Sequence, residues 1–306
     1  LIQLLQTGSL WTQIRARTES AIIKGAIHSI ATDFHILKQD GLQFMVRVAR
    51  NLKRKAQDRV QRTNEASGTP FNPFLPPEPE MRVADITSTH IAVLNKFNVV
   101  ENHLLIVTRD FQHQEHLLTL EDFEALWLCL REYPALGFYN GGQAAGASQQ
   151  HKHLQLVPLP LYPGQTGTPF DPLYNNAPKD EGLHRLKQLP FLHYWSPLPG
   201  ELADNPMAAA KLTLPRYLQM LKSAGIDKVK GAGGNYQSAP YNLLLTRDWM
   251  LLVPRTQESY QGISVNSLGY AGSLFVKDLN DLDRVKHKGP MNLLKAVSIS
   301  VKDSEE

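Results

Sequence analysis

Leu10, Ile14 and Ala21 recur at helical spacing and predict an amphipathic helix near the start, whereas Leu42-Gln43-Phe44-Met45-Val46 alternates as a short strand does. Between residues 67 and 80 the periodicity stops. Pro70, Pro73, Pro76, Pro77 and Pro79 exclude a helix or central strand there and predict an extended connector. Two apolar runs between Ile91 and Thr108 flank Val100-Glu101-Asn102, which predicts an antiparallel hairpin. A helix should follow, with Thr119 as N-cap and Asp122 three residues on. Phe123, Leu126, Trp127 and Leu130 line its apolar face, and Pro134 ends it. Strands are expected at 138–140 and 151–157 with a loop between them.

Residues 158–172, rich in Pro and Gly, read as a long connection to a second half. That half should hold a helix from Pro206 to Ala224 stopped by Gly225, a hairpin over 241–254 and strands within 262–277. Lys230 to Tyr236 is Gly-rich but lacks the Gly-Lys-Ser/Thr ending of a P-loop, so it is expected to be a flexible turn. The division expected is residues 1–170, carrying the Pro-rich connector, and residues 183–302. Val-Thr-Arg at 107–109 and Val-Pro-Arg at 253–255 each close a Leu-rich hairpin, which suits two related half-units or a coincidence of ordinary hairpins.

The motif strand carries the chemistry. His151, His153 and Gln155 alternate with Lys152, Leu154 and Leu156, so in an extended strand the first three share a face about 7 Å apart. They follow Gly146-Ala147-Ser148-Gln149, a loop rich in small residues and main-chain donors. An imidazole able to attack, beside donors able to hold oxygens, suits a phosphorus centre. Three plainer readings compete: a satisfied core histidine, half of a zinc site, or a solvated face. Cys129 is the only cysteine, so a Cys-rich zinc site cannot be built. The turn-type cluster Tyr139-Asn140-Gly141-Gly142 argues against simple solvation.

Composition narrows the setting. The chain has 306 residues, 42% hydrophobic, enough to bury a core. Its net charge of +3 is too mild to suggest nucleic acid as partner. The local cluster Arg47, Arg50, Lys53, Arg54, Lys55, Arg59 and Arg62 reads mainly as a solvated face from which one or two side chains could reach a polyphosphate. No apolar run approaches the roughly 20 residues of a membrane span. Leu1-Ile2-Gln3-Leu4-Leu5 lacks an initiator Met and a basic leader region, so a truncated or processed end and a cytoplasmic setting are expected.

Phe138-Tyr139-Asn140-Gly141-Gly142, Gly146-Ala147-Ser148-Gln149 and His151-Lys152-His153-Leu154-Gln155 together resemble the active-site segment of the ATP adenylyltransferases. These are the diadenosine tetraphosphate phosphorylases, the transferase branch of the histidine-triad superfamily. Leu94-Asn95-Lys96-Phe97 with Asn102-His103-Leu104-Leu105-Ile106-Val107-Thr108 resembles the family's first core hairpin. Tyr241 to Thr246 with Trp249 to Arg255 resembles its late hairpin, and Gly262 to Gly272 its nucleotide-contacting segment. The resemblance implies an α+β, histidine-triad-like fold of two related half-units, with an antiparallel sheet flanked by helices.

It also implies roles. His153 would attack the α-phosphorus of diadenosine tetraphosphate and release ATP; phosphate would then take the adenylyl group and leave as ADP. His151 would orient His153 or stabilise the α-phosphate, and Gln155 would donate to a non-bridging oxygen. Gly146, Ala147, Ser148 and Gln149 would cradle the polyphosphate. Asn95, Lys96 and Asn140 would lie at the nucleotide, Lys55 and Lys277 at phosphate, and Asn266, Ser267, Leu268 and Ser273 at a nucleotide moiety. No covalent cofactor is implied, although a divalent cation such as magnesium would accompany the polyphosphate. Partners would be Ap4A, ATP, ADP and phosphate, with no nucleic acid and no membrane; the sequence is silent on oligomeric state. Two alternatives stay open: a hexose-1-phosphate uridylyltransferase-like enzyme, poorly served by one cysteine, and a non-catalytic dinucleotide-binding protein.

Overall fold

The computed structural model describes residues 3–50 and 71–301. Helix α1 (Leu10–Ile23) buries Leu10, Ile14 and Ala21, as their spacing predicts. The alternating segment forms strand β2 (Leu42–Ala49), paired antiparallel with β1 (Thr32–Gln39) along its whole length. The sequence hides β1, because it is largely exposed and carries no apolar run.

The expected first hairpin is β4 (His90–Leu94) and β5 (Leu104–Thr108), preceded by the short β3 (Arg82–Asp85). Helix α2 (Leu120–Leu130) has the full capping box. The Thr119 hydroxyl accepts from the Asp122 N–H, and the Asp122 carboxylate accepts from the Thr119 N–H. Strands β6 (Ala135–Gly141) and β7 (His153–Pro158) follow, and His151 makes only an isolated bridge, to His113.

In the second half, α3 (Asp171–Asn175) and β8 (Tyr194–Pro197) lead to α4 (Pro206–Ser223). Gly225 stops α4 with φ +68°, a conformation open to glycine. The segment expected to be a flexible turn is instead a hairpin, β9 (Lys228–Gly231) and β10 (Gly234–Gln237). It is held down because the Leu117 N–H donates to the Asn235 carbonyl and the Gln237 N–H to that of Glu115. The late hairpin is β11 (Tyr241–Leu245) and β12 (Trp249–Pro254). The pair β13 (Ser259–Tyr260) and β14 (Ile263–Ser264), strand β15 (Ser273–Val276), and helices α5 (Leu279–Lys288) and α6 (Pro290–Ala296) complete the described chain.

The strands assemble into an eight-stranded antiparallel sheet, ordered β3-β4-β5-β7-β6-β11-β12-β8. Its β6–β11 seam joins the two halves of the chain. One face carries Leu154, Leu156, Tyr139 and Leu243 and packs with residues of α2 and α4. The other carries Phe138, Val157, Leu244 and Val253 and packs with the smaller β1-β2-β15 sheet and α5. That second face also bears His153 and Gln155, by the two-residue alternation of β7.

Behind the motif strand, Lys152 is fully buried. Its ammonium pairs with the Asp122 carboxylate and donates to the Leu117 carbonyl at 3.0 Å, while His90 holds the other Asp122 oxygen at 3.0 Å. Burial alone would raise the Asp122 pKa; Lys152 and His90 hold it well below the usual carboxylate range. One acidic side chain therefore caps α2 and grounds the back of the strand that bears the histidines.

Candidate active site

His153 is buried, and the way it is held fixes its tautomer. Its Nδ1–H donates to the His151 carbonyl at 2.8 Å, which leaves Nε2 with a lone pair and no partner among the described residues. Burial lowers its pKa to about 4, so the ring is neutral at physiological pH. The main chain of His151, not its ring, does the orienting. That ring is occupied elsewhere: Nε2–H donates to the Thr108 carbonyl at 2.8 Å, and Nδ1 accepts from the Asn72 amide at 3.0 Å.

Strands β6 and β7 part at His153. The register that sets Phe138 opposite Gln155 would bring Asn140 opposite His153, and here the Gln114 side chain replaces a rung of the ladder. Its oxygen accepts from the His153 N–H at 2.8 Å, while its amide donates to the Asn140 carbonyl at 3.0 Å and the His153 carbonyl at 3.2 Å. Antiparallel residues facing each other point to the same side of a sheet. His153, Asn140 and then Asn242, which pairs with Asn140 across the seam, therefore form one row.

The two carboxamides near His153 have their polarity set from behind. Asn95 donates to His103 Nδ1 at 3.1 Å, so the His103 proton lies on Nε2 and is donated to the Gln155 oxygen at 3.0 Å. Burial lowers the His103 pKa to about 4, which keeps that ring neutral and this sense of donation intact. The Gln155 NH2 is left for another acceptor. Likewise, the Asn140 oxygen accepts from Asn242 at 2.9 Å and from the Ser267 hydroxyl at 2.7 Å and N–H at 3.1 Å. The Asn140 NH2 has no partner among the described residues.

The loop after β6 meets the 266–268 segment closely. Gly146 has φ +94°, and a Cβ there would lie 3.0 Å from that of Asn266, so a larger residue would push the loops apart. The cradle expected of this loop is only partly available: the Gly146 N–H donates to the Gln143 carbonyl and the Ala147 N–H to the Gly142 carbonyl, at 2.9 and 3.2 Å. Inside a single turn of 3₁₀ helix, those donors satisfy the chain itself. The N–H groups of Ser148 and Gln149 have no protein partner among the described residues.

The other expected site residues divide. Ser267 is buried against Asn140, Asn266 caps its own turn through the Leu268 N–H at 3.1 Å, and Leu268 is half-buried. Asn95 reaches the site through His103. Lys96 carries an ion pair to Glu78 at 2.9 Å, so a phosphate would have to displace a carboxylate. Ser273 is buried in β15 and Lys277 is exposed just beyond it, and among the described residues no hydrogen bond or ion pair joins either to the histidine strand. Lys55 lies outside the described residues.

Gln114, His103, Asn242, Arg255, Asn72 and Phe74 were not expected at the site. Asn242 could have been found: it is a polar residue in a strand whose five positions are all buried. His103 stood in a quoted motif without a role. Gln114 sits in a uniformly polar run and has no sequence signal. Asn72 and Phe74 belong to the connector, which proves to pack on the site, since the Phe74 ring lies 5.6 Å from that of His151 and 5.5 Å from that of His153.

A neutral imidazole nitrogen without a partner among the described residues, beside outward-turned amide donors on this α+β architecture, fits a nucleotidyltransferase of histidine-triad-like fold. Family models for the Ap4A phosphorylase N-terminal domain and the ATP adenylyltransferase C-terminal domain match residues 2–176 and 187–300. The chain belongs to the Ap4A phosphorylase (ATP adenylyltransferase) family. Protein APA1 of Saccharomyces cerevisiae is 29% identical over 231 residues, covering 69% of this chain and 68% of its own. Diadenosine 5',5'''-P1,P4-tetraphosphate phosphorylase 2 of the same yeast is 29% identical over 245 residues, covering 70% and 71%. The crystal structure of yeast Ap4A phosphorylase Apa2 superposes with a TM-score of 0.79 at 24% identity, over 100% of this chain and 98% of that one. Its complex with Ap4A gives 0.77, also at 24% identity, over 98% and 99%.

Proposed function

We propose that this chain phosphorolyses diadenosine tetraphosphate to ATP and ADP, reversibly, through an adenylyl group carried on His153. The observation that carries this reading is the His153 ring, with Nδ1–H bound to a carbonyl and a neutral Nε2 left open. Nε2 attacks the α-phosphorus, an N–P bond forms, and the α–β bridging P–O bond breaks to release ATP. The positive charge then on the ring is stabilised by the His151 carbonyl at Nδ1. Phosphate attacks the same phosphorus, the N–P bond breaks, and ADP leaves. The amide donors of Gln155 and Asn140 would hold the non-bridging oxygens, where charge builds in both transition states.

Neither amide relays a proton readily, which favours phosphate over water as acceptor. The yeast relatives named for Ap4A support the substrate. Magnesium, if it accompanies the polyphosphate, would take most of its ligands from phosphate oxygens and water. No described helix is long and apolar enough to cross a membrane. A cytoplasmic setting is part of the proposal, supported by the nucleotide substrates and by Cys129, a buried free thiol.

Incubation with Ap4A, with and without phosphate, tests this reading. ATP and ADP should appear together only when phosphate is present. AMP and ATP formed at the same rate without phosphate would make the protein a hydrolase, and no products at all would make it a binding protein.

A further inference from the structure

Arg255, just past β12, is 2% exposed, and six neutral oxygens surround its guanidinium. Nε donates to the Val297 carbonyl at 3.0 Å, Nη1 to the Asn242 side-chain oxygen at 2.6 Å, the Val265 carbonyl at 2.9 Å and the Ala145 carbonyl at 3.5 Å, and Nη2 to the carbonyls of Gln257 at 2.7 Å and Glu258 at 3.2 Å. Every N–H is satisfied. Burial lowers the Arg255 pKa and the nearby Glu258 carboxylate acts against that, but among the described residues no carboxylate forms an ion pair with it. The ring of Tyr270 lies under it at 5.7 Å. A buried charge offset only at a distance is costly, so its place here calls for a reason beyond hydrogen bonding.

The contacts supply one. Because Arg255 occupies the Asn242 oxygen, the Asn242 NH2 is turned toward the Asn140 oxygen, the Ala145 carbonyl at 2.8 Å and the Ser267 hydroxyl at 2.9 Å. That in turn commits the Asn140 oxygen inward and its NH2 outward, in the same cross-strand row as His153. The guanidinium also ties the 265–267 segment to the loop at Ala145. We propose that Arg255 is an electrostatic positioning residue: its fixed charge attracts the polyphosphate from behind the two loops, and through Asn242 it sets the direction in which Asn140 donates. The inference rests on the polyphosphate reading above, with the substrate adding a negative charge where no ion pair is made among the described residues.

The test compares Arg255→Gln and Arg255→Lys with wild type by calorimetric Kd for Ap4A, AMP and adenosine. Arg255→Gln should weaken Ap4A by about tenfold, the order expected for one charge interaction screened by an effective dielectric constant of about 20. It should weaken AMP less and adenosine hardly at all, and Arg255→Lys should recover most of the Ap4A loss. Equal losses for all three ligands, or no recovery by Lys, would reduce Arg255 to a structural pin and overturn the proposal. Should the Arg255 variants fail to fold, Glu258→Gln removes the carboxylate that partly offsets the intact guanidinium. It should then tighten Ap4A selectively, and an unchanged Ap4A affinity counts against the proposal. A wild-type enzyme that binds Ap4A no better than adenosine would instead discard the functional reading itself.

Discussion

His153 and His151 are coupled through main chain, not ring to ring: the Nδ1 of the first lies 2.8 Å from the carbonyl oxygen of the second. Replacing the His151 side chain therefore leaves the tautomer of His153 intact, whereas replacing His153 removes the proposed nucleophile. His153→Ala should abolish turnover while the protein still unfolds in one cooperative transition, at a midpoint lowered by the lost ring packing and hydrogen bond. Mass spectrometry of wild type quenched without acid should show an adenylyl group on His153. Substrate chiral at the α-phosphorus should react with net retention; inversion would show single displacement and end the covalent scheme.

Acid should destabilise the fold in a defined window. His103, His153 and His193 each have a pKa lowered to about 4 by burial, against an ordinary value of 6.5. As pH falls through 6.5 the unfolded chain takes up protons that the fold refuses, so stability drops by at most about 1.4 kcal/mol per pH unit for each ring. The loss stops near pH 4, where the folded rings also protonate. Urea midpoints measured from pH 8 to 4 should trace this slope, and a flat profile would mean that the rings are more solvated than their surroundings indicate.

His103 and Gln155 should behave as one unit. His103→Ala frees the Gln155 amide to turn its oxygen toward the phosphate, which should lower kcat by about 10²-fold with little change in KM, the size of a lost oxyanion donor. Gln155→His places an imidazole there and should raise the ratio of AMP to ADP at fixed phosphate, because the ring can pass a proton to or from attacking water. A Gln155→His enzyme that is merely slower, with its product ratio unchanged, would show that the amide positions phosphate without selecting the acceptor.

Either partner of the buried ion pair should be costly to remove. Asp122→Ala leaves the Lys152 ammonium buried without a counter-charge and removes the carboxylate half of the α2 capping box, a loss of about 3–5 kcal/mol. Lys152→Met leaves the Asp122 carboxylate buried without its main counter-charge, a loss of the same order that should shrink as the pH falls and the carboxylate can take up a proton. Denaturant unfolding of both variants decides this, and a Lys152→Met loss near zero at neutral pH would show that His90 and the Thr119 N–H suffice to hold the carboxylate.

The legible part of the fold was where a local pattern and its burial agree. Thr119 and Asp122 marked a helix start, and Ile91 to Thr108 marked a hairpin, because those signals act within a few residues. Strand β1 and the β9–β10 hairpin were missed because their partners lie far away in sequence or their side chains face solvent. On the motif strand, the shared face of His153 and Gln155 was legible from alternation. Their supports were not. Gln114, His103 and Arg255 act over 39, 52 and 13 residues of chain, and only the folded sheet sets them side by side.

The β6–β11 seam carries a consequence for how this molecule can be divided. Five residue pairs, Gly137 to Gly141 against Leu245 to Tyr241, hold the two halves as neighbours in one sheet. A chain cut within the long connection after β7 would yield two fragments, each ending in a raw strand edge that is covered only by the other. Mixed together, the fragments should complement one another across that edge. Expressed singly, each offers a template on which foreign strands can add, so the half that bears His153 is also a seed for aggregation without its companion.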